Sequence, residues 1–377
     1  MTPKILVISN YRSTVTVRPE AEIFIALSKR GWSIDIMTYG DSPYIKNFRE
    51  AGVNVIEWHP EKKFDKTSIE KIRNCLIEGG HHILQLYNSK ASTNGIKAAK
   101  GLDVKVVLYR GYQGNLQWYD PSLYTKYYNP RVDKIICNSI GVEEEYRKQL
   151  FSNVREKAVT INKGHKLEWY EDVKPADLKV FGVSEGSFVF TCVANTRPMK
   201  GVKYIMRALH HLPKGLDIYV LMVGRGLETP EYRKIADESA YSERVIFTGF
   251  QTNALEIDKA SDVFLLASIY GESITKSVIE AMSVGTTPLI TDIPGNKFLI
   301  EDGKSGYMIP SKNPKALAEA MTKAYENREE TKQFGENAKR RIAEKLNTEK
   351  TVNEMAEFYL DLINTGGKKY KTKPGVL

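Results

Sequence analysis

Cysteine and histidine are scarce in this sequence, and neither is arranged as a metal site. Its 377 residues include six histidines and only three cysteines, Cys75, Cys137 and Cys192. The cysteines are odd in number, far apart and each in or beside an apolar run, which indicates buried thiols in a reducing compartment. The histidines show no zinc-binding spacing with them. We therefore predict no metal site.

Long apolar runs are also absent. No stretch approaches the roughly 20 apolar residues that a membrane-spanning helix needs. The segment Met1–Asn10 becomes polar too soon for a signal peptide, and Lys4–Ser9 is predicted to be a first strand. We expect a cytoplasmic protein, lying at the inner face of the membrane if it contacts one.

Positive charge is in excess, with a net charge of +9. Residues 1–175 hold 27 Lys and Arg against 20 Asp and Glu, and the remainder is near balance apart from the basic tail Lys368–Lys373. This pattern suits a lipid phosphate, an acidic glycan or peripheral contact with an anionic membrane, and equally a solvated surface with an unstructured tail. The basic residues are scattered and accompany no nucleic-acid-binding motif, so nucleic acid is not predicted as a partner.

Short apolar runs alternate with helical patterns along the whole chain. Buried β-branched runs of this kind are typical of parallel sheets covered by helices on both faces, so the fold class is α/β. The predicted strands are Lys4–Ser9, Ser33–Thr38, Val53–Trp58, His82–Tyr87, Lys105–Tyr109, Lys134–Asn138, Ala158–Ile161, Ser187–Val193, Ile218–Val223, Val245–Thr248, Val263–Ala267, Pro288–Thr291 and Tyr307–Ile309.

The helical patterns and one polar junction divide the chain into domains. The clearest predicted helices are Pro19–Arg30, Val202–His211, Lys276–Val284, Pro314–Asn327, Glu329–Lys345 and Glu349–Ile363. The polar, proline-containing stretch that begins at Lys174 suits an interdomain connection. We predict one domain over 1–175, a second over 176–345, a C-terminal helix over 346–365 that packs back on the first domain, and a basic tail over 366–377.

The segment Gly271–Gly285 carries the most specific pattern. It follows a predicted strand and turns into a helix, with Glu272 and Glu280 eight positions apart. The amides of Ile274–Lys276 at the helix start form a ready phosphate site. Carboxylates bind vicinal diols well, because each oxygen accepts hydrogen bonds. A glutamate pair on a helix is also common on ordinary solvated faces.

Three more loops follow predicted strands in the second half. Arg197 and Lys200 follow the first of these strands and suit a diphosphate, although basic loops are also common on solvated surfaces. Gly224 follows the next strand and permits close backbone approach. Gly249 and Phe250 end a further strand, where the backbone can contact a nucleobase edge.

These motifs together resemble the nucleotide-binding domain of retaining GT-B glycosyltransferases of family 4. The resemblance covers residues 180–345 well and the first half loosely. The motifs occur in the family's order, and they are Arg197…Lys200-Gly201, Val223–Gly226, Thr248-Gly249-Phe250, the glutamate pair with Ala281-Met282 and Gly285, and Asp302-Gly303…Gly306. The resemblance implies the GT-B fold, two Rossmann-like parallel-sheet domains facing a central cleft.

The resemblance also implies roles for individual residues. Glu280 would bind the donor ribose, and Glu272 would contact the hydroxyls of the donor sugar. Arg197 and Lys200 would stabilise the leaving diphosphate, together with the nucleotide-binding segment formed by Ile274, Thr275, Lys276 and Ser277. No cofactor or metal is implied, because such enzymes hold the diphosphate with protein cations and helix N-termini.

The implied activity is transfer of a sugar with retention of its anomeric configuration, by front-face attack and without a protein nucleophile. A UDP-sugar is favoured as donor and a GDP-sugar is second. The acceptor would be a glycan or lipid-linked sugar, as in bacterial surface polysaccharide or lipopolysaccharide synthesis. A phosphorylase, another sugar-nucleotide-processing enzyme and a non-catalytic nucleotide-sugar-binding subunit remain as alternatives.

The first half departs from the family pattern at the expected acceptor side. Arg110 stands where the family often has a histidine, after the strand Lys105–Tyr109. It would act at the catalytic site by binding a phosphate or carboxylate on donor or acceptor, or else it pairs with a structural carboxylate. The aromatic and amide side chains of Tyr112–Asp120 suit a sugar acceptor and an ordinary packed loop almost equally.

Overall fold

A computed structural model describes residues 2–13, 16–112, 114 and 119–364. The strands of this part are β1 (Ile5–Ile8), β2 (Ile34–Thr38), β3 (Asn54–Glu57), β4 (Ile83–Leu86), β5 (Lys105–Arg110), β6 (Lys134–Cys137), β7 (Ala158–Thr160), β8 (Phe188–Val193), β9 (Ile218–Val223), β10 (Val245–Gly249), β11 (Val263–Leu266), β12 (Thr287–Thr291) and β13 (Tyr307–Ile309).

The α-helices lie between these strands and after the last of them. They are α1 (Arg18–Lys29), α2 (Ile45–Glu50), α3 (Lys66–Gly79), α4 (Ser89–Ala98), α5 (Pro121–Tyr124), α6 (Ile140–Gln149), α7 (Ser152–Arg155), α8 (Val202–Ala208), α9 (Pro230–Asp237), α10 (Ala254–Lys259), α11 (Lys276–Ser283), α12 (Pro314–Glu326), α13 (Arg328–Lys345) and α14 (Thr348–Asn364). Every predicted strand is present, with each end within one residue of its expected position.

The chain forms two compact units. The first takes in the described residues of Met1–His165 and Leu346–Leu377, and the second is Lys166–Lys345. The boundary therefore lies before the predicted one at residue 175. Backbone and side-chain contacts explain the difference, since Lys259 Nζ donates to Val173 O at 2.6 Å and Ala176 N donates to Glu256 O at 2.9 Å. The basic tail lies outside the described residues.

The first unit is built on a seven-stranded parallel sheet with the order β3-β2-β1-β4-β5-β6-β7. The helix α14 belongs to this unit although it follows the second unit in the chain. Its Tyr359 is fully buried, packs near Trp32 with ring centroids 6.2 Å apart, and donates a hydrogen bond to Gln85 Oε1 at 3.0 Å. The C-terminal helix thus completes the hydrophobic core of the first unit.

The second unit is built on a six-stranded parallel sheet with the order β10-β9-β8-β11-β12-β13. Most strand residues are buried, because helices cover both faces. Since all six strands run in the same direction, their carboxyl ends meet at one edge of the sheet. The loops that carry Lys200, Gly224, Phe250 and Glu272 all follow strands, so they share that edge.

The three cysteines are free thiols. Cys137 and Cys192 are buried as expected, whereas Cys75 is only half-buried, and burial raises the pKa of the Cys75 thiol to about 11. Among the described residues, no three His, Cys, Asp or Glu side chains are grouped so that they could hold a metal ion. In the same part of the chain, no helix combines the length and apolar character needed to cross a bilayer.

Candidate functional site

Backbone hydrogen bonds continue past the strand ends at the carboxyl edge of the second sheet. They run from Ala194 N to Val223 O (3.0 Å), from Gly224 N to Gly249 O (2.9 Å) and from Ile269 N to Met199 O (2.8 Å). The loops after β8, β9, β10 and β11 are therefore linked side by side. This places Gly224 next to Gly249, and the Lys200 loop next to the Glu272 loop.

Two glycines allow these loops to approach so closely. Gly201 has a φ of +66°, and a Cβ on it would lie 1.9 Å from the carbonyl oxygen of Ala267. Gly224 has a φ of +153°, and a Cβ there would lie 1.9 Å from the carbonyl oxygen of Ala194. Both positions combine a left-handed backbone with backbone contact, so only glycine fits.

A buried polar cluster joins Lys200, Glu272 and Ser268. Lys200 Nζ lies 2.7 Å from Glu272 Oε1, and Ser268 Oγ donates to the same oxygen at 2.7 Å. The Glu272 residue is only 7% exposed. Its second oxygen, Oε2, accepts no hydrogen bond from the described residues of this unit. The cluster therefore holds one carboxylate oxygen in place and leaves the other free to accept hydrogen bonds.

A further polar residue, Asn296, positions the Glu272 loop and was missed in the sequence. Its side chain is fully buried, donates to Thr291 O at 3.0 Å and accepts from Thr275 Oγ1 at 3.3 Å. Thr291 Oγ1 in turn donates to Ser268 O at 2.5 Å. The available signal was the turn Asp292–Asn296 directly after a strand, where buried amides commonly satisfy loop backbone groups.

The helix α11 begins directly after this loop. Its N-cap residue Thr275 makes no side-chain hydrogen bond to the helix amides, so the first turn has no side-chain cap. Within the helix, Lys276 and Glu280 form an ion pair at i,i+4, and both side chains are partly exposed. The two glutamates of the motif therefore differ, since Glu272 is buried on Lys200 and Glu280 is half-buried on Lys276.

Two exposed residues border the loops at this edge. Arg197 is exposed, and its guanidinium makes no hydrogen bond or ion pair with the described residues. Phe250 is 63% exposed, and the guanidinium carbon of Arg225 lies 5.4 Å from its ring centroid. Arg225 was not singled out in the sequence, although its position between two glycines after a strand was the available signal.

The helix α10 contributes a buried carboxyl group that the sequence reading also missed. Asp258 is almost fully buried, and its Oδ1 has no hydrogen-bond partner. Burial raises the pKa of Asp258 well above its usual range, and the nearby charge of Glu280 raises it further. An isolated ionised carboxylate is very costly in such surroundings, so burial favours the protonated form of Asp258.

The raised pKa of Asp258 gives a stability prediction. A carboxyl whose pKa is raised on folding contributes stability below the ordinary Asp pKa, and this contribution is lost as the pH rises toward the folded pKa. The variant Asp258→Asn should therefore be more stable than the natural protein at neutral pH. The difference should grow with pH by up to about 1.4 kcal/mol per unit.

Urea unfolding between pH 5 and pH 8 measures this effect, with the exposed Asp237→Asn as the matched control. The control should show no comparable growth with pH. A stability difference between Asp258→Asn and the natural protein that does not grow from pH 5 to pH 8 contradicts a raised pKa of Asp258.

In the first unit, Arg110 ends β5 and is 2% exposed. Its Nη1 donates to Tyr127 Oη at 3.0 Å, and its Nη2 lies 3.5 Å from Gly114 O. The structural carboxylate considered as a partner is not found among the described residues of this unit. In the loop Tyr112–Asp120, residues 113 and 115–118 lie outside the described part of the chain.

A comparison with known protein families finds a match that lies almost entirely within the second unit. Residues 173–341 match the family Glycosyl transferases group 1. This match covers nearly all of the second unit (Lys166–Lys345), which is named the group 1 domain after it. The predicted likeness to a glycosyltransferase nucleotide-binding domain is thereby confirmed for these residues, while family 4 and the retaining mechanism stay predictions.

Curated relatives match between about half and two thirds of the chain. The chain is 26% identical over 249 residues to an uncharacterized glycosyltransferase of Methanocaldococcus jannaschii, covering 63% of each protein. It is 27% identical over 185 residues to N-acetyl-alpha-D-glucosaminyl L-malate synthase of Bacillus anthracis, covering 49% of this chain and 48% of that protein. The matches thus span between about half and just under two thirds of these relatives.

Solved structures resemble this chain over 94–96% of its length. A glycosyltransferase from Rickettsia africae has a TM-score of 0.77 at 16% identity, covering 96% of this chain and 99% of its own. Anabaena HepE in complex with UDP has a TM-score of 0.75 at 17% identity, covering 94% and 98%. At such identities the likeness concerns the fold, and it confirms the predicted α/β class and the GT-B fold with two Rossmann-like units.

Proposed function

We propose that this chain is a glycosyltransferase whose group 1 domain holds a nucleoside-diphosphate sugar, and that it transfers the sugar to a glycan or lipid-linked acceptor. The observation that carries the proposal is the Lys200–Glu272–Ser268 cluster beside the uncapped start of α11, at the carboxyl edge of a parallel sheet. Open α/β sheets bind ligands at that edge.

The diphosphate is assigned to Lys200, Arg197 and the first amides of α11, around Ile274–Ser277. Helix N-termini and protein cations both stabilise phosphate groups. When the bond between the sugar C1 and the diphosphate oxygen breaks, negative charge builds on the diphosphate. Fixed cations and amides aimed at that charge lower the barrier.

The nucleoside is assigned to Glu280 and to the loops after β9 and β10. The Glu280 carboxylate accepts hydrogen bonds from the ribose diol, while Lys276 holds it in place. Gly224 N donates to Gly249 O at 2.9 Å, and a Cβ on Gly249 would meet no atom within 4 Å, so the base is assigned to the space beside Gly249. Phe250 directly follows β10, and its exposed ring, with the guanidinium of Arg225 beside it, offers a stacking surface for the base.

The sugar is assigned to the free oxygen of Glu272. This carboxylate is held by Lys200 and Ser268, so it binds hydroxyl groups and is not proposed to attack C1. We propose front-face attack by the acceptor hydroxyl, with the departing phosphate taking the proton and the anomeric configuration retained. The anomeric proton of the product, followed by NMR, distinguishes retention from inversion. We propose that no metal is needed, so activity should survive EDTA.

The relatives support the substrate classes. An Escherichia coli relative, 25% identical over 242 residues, is named UDP-Gal:alpha-D-GlcNAc-diphosphoundecaprenol alpha-1,3-galactosyltransferase. A Rhizobium meliloti relative, 27% identical over 203 residues, is named a lipopolysaccharide core biosynthesis glycosyltransferase. We propose a UDP-sugar as first donor, a GDP-sugar as second, and an acceptor in surface polysaccharide or lipopolysaccharide synthesis, with the enzyme cytoplasmic and in peripheral contact with the membrane.

Titration with UDP and GDP tests the donor site. We expect UDP to bind, and Glu280→Ala to weaken it about 10- to 100-fold, because a hydrogen bond to a charged group contributes about 1.5–3 kcal/mol. The matched control is Glu319→Ala, since Glu319 forms an exposed i,i+4 ion pair with Lys315 on α12. Natural affinity in Glu280→Ala, or no binding of either nucleotide, contradicts the site. Sugar release that requires inorganic phosphate would indicate a phosphorylase instead.

A further inference from the structure

Arg110 in the first unit is a buried cation with unused hydrogen-bonding capacity. A guanidinium carries five N–H donors, and here one donates to Tyr127 Oη at 3.0 Å and another approaches Gly114 O at 3.5 Å. The guanidinium carbon lies 4.8 Å from the ring centroid of Tyr112 and 5.1 Å from that of Tyr127. The two rings hold the cation in place without neutralising it.

The first unit provides no carboxylate for this cation. No Asp or Glu among its described residues forms an ion pair with Arg110, and none of the residues outside the described part of the chain is Asp or Glu. Two other partly buried arginines of the unit are paired with carboxylates, Arg147 with Glu143 at 2.8 Å and Arg131 with Asp133 at 3.2 Å. Buried charges are normally paired because desolvation is costly, so Arg110 is an exception that needs a partner.

A second cation lies in the same neighbourhood. The ammonium of Lys126 is 5.6 Å from the ring centroid of Tyr127. Burial lowers the pKa of Lys126, and the positive charges of Lys63 and Arg110 lower it further, while Asp120 opposes them. The Asp120 carboxylate already accepts from the amide and the hydroxyl of Ser122, at 2.8 and 2.9 Å. Positive charge is therefore in excess around Arg110.

We infer that Arg110, with Lys126, forms an anion subsite that binds a phosphate or carboxylate group of the acceptor. Arg110 ends β5 at the carboxyl edge of the first sheet, where α/β sheets bind ligands. A guanidinium fork matches the two oxygens of either anion, whereas a neutral sugar offers no charge to balance it. The negative charge of the ligand is inferred from the contacts of Arg110 within the first unit. The assignment of this ligand to the acceptor rests on the proposed function.

The subsite is tested on the full chain with inorganic phosphate and with malonate, by calorimetric titration with and without saturating UDP. UDP blocks the donor phosphate site, so the remaining binding reports on the first unit. We expect at least one probe to bind under both conditions, and Arg110→Gln to weaken it by at least about tenfold. Arg110→Lys keeps the charge and loses the forked guanidinium. Its affinity for the probe should lie between those of the natural protein and Arg110→Gln.

The control is Arg49→Gln, which removes the same charge from an exposed ion pair with Glu57 and should bind the probes like the natural protein. Circular dichroism checks that each variant is folded. Lys126→Gln provides a second variant and should also weaken the probe that binds.

Probe binding that is unchanged in both Arg110→Gln and Lys126→Gln overturns the inference. A drop in UDP affinity in Arg110→Gln as large as the drop in probe affinity also overturns it, because Arg110 would then serve the donor. A chain that binds no UDP contradicts the proposed function, while the dependence of probe binding on Arg110 still tests the subsite.

Discussion

Replacing Lys200 with alanine is expected to lower the rate of sugar transfer by about 10²- to 10³-fold, the usual loss for one group that stabilises developing negative charge. Lys200 Nζ is held by Glu272 at 2.7 Å and is mostly buried, so in our proposal it meets the diphosphate in a poorly solvated position. The measurement is the initial rate of UDP release from the UDP-sugar that gives the largest thermal shift. The loss should fall mainly on kcat, because the charge develops in the transition state.

Three variants separate this role from others. Lys203→Ala removes the same charge from the neighbouring helix α8, where no ion pair with Lys203 is found among the described residues, and it should retain natural activity. The double variant combines Lys200→Ala with Glu272→Gln. If Lys200 acted only by positioning Glu272, then Glu272→Gln and the double variant would show the same loss of transfer rate as Lys200→Ala. Our account predicts a further loss in the double variant, and equal losses would argue against a role at the diphosphate.

Replacing Gly201 with alanine is expected to destabilise the protein by about 3–5 kcal/mol, combining left-handed backbone strain with backbone overlap. The added Cβ would lie 1.9 Å from Ala267 O, which cannot move without shifting β11. The loop after β8 would separate from the loop after β11, and the bond from Ile269 N to Met199 O would lengthen or break. Urea unfolding of the variant measures the loss.

The chain offers a matched control for Gly201→Ala. Gly215 has a similar φ of +86°, but a Cβ there meets nothing within 4 Å. Gly215→Ala should therefore cost only the backbone strain, about 1 kcal/mol. Equal losses in the two variants would show that close contact between the loops is not what requires glycine at position 201.

The sheets could be predicted from sequence because buried parallel strands appear as short apolar runs. Each run from Lys4–Ser9 to Tyr307–Ile309 became a strand with almost the same ends. The helices α9 and α10 were missed, since eight and six residues are too few to show a clear helical period. The predicted helix Val202–His211 is α-helical only to Ala208 and ends in a 3₁₀ turn.

The candidate site was predictable as a set of loops and not as a set of contacts. The motifs indicated Glu272, Glu280 and Lys200, but no pattern in the sequence could pair Lys200 with Glu272 across 72 positions. Asp258 and Asn296 carry no motif, and their importance depends on burial, which the sequence does not record directly. The roles proposed for Glu272, Glu280 and Lys200 in ligand binding are predictions, and the variants of Glu280 and Lys200 test them.

The first unit shows the same limit at Arg110. The sequence left two readings open, a ligand for an anion and a partner of a structural carboxylate. Choosing between them requires the positions of all nearby carboxylates, which are brought together by tertiary folding. Among the described residues of the first unit, Arg110 contacts the rings of Tyr112 and Tyr127 and the hydroxyl of Tyr127, and no carboxylate pairs with it.

Hydrogen–deuterium exchange of the full chain with and without UDP tests the central claim most directly. If the group 1 domain holds the nucleotide as we propose, UDP should slow exchange in residues 194–201, 224–226, 249–251 and 268–280, the loops and the helix at the carboxyl edge of the second sheet. Protection should be lost in Glu280→Ala at the same UDP concentration. Protection confined to other segments, with these four unchanged, would contradict the account.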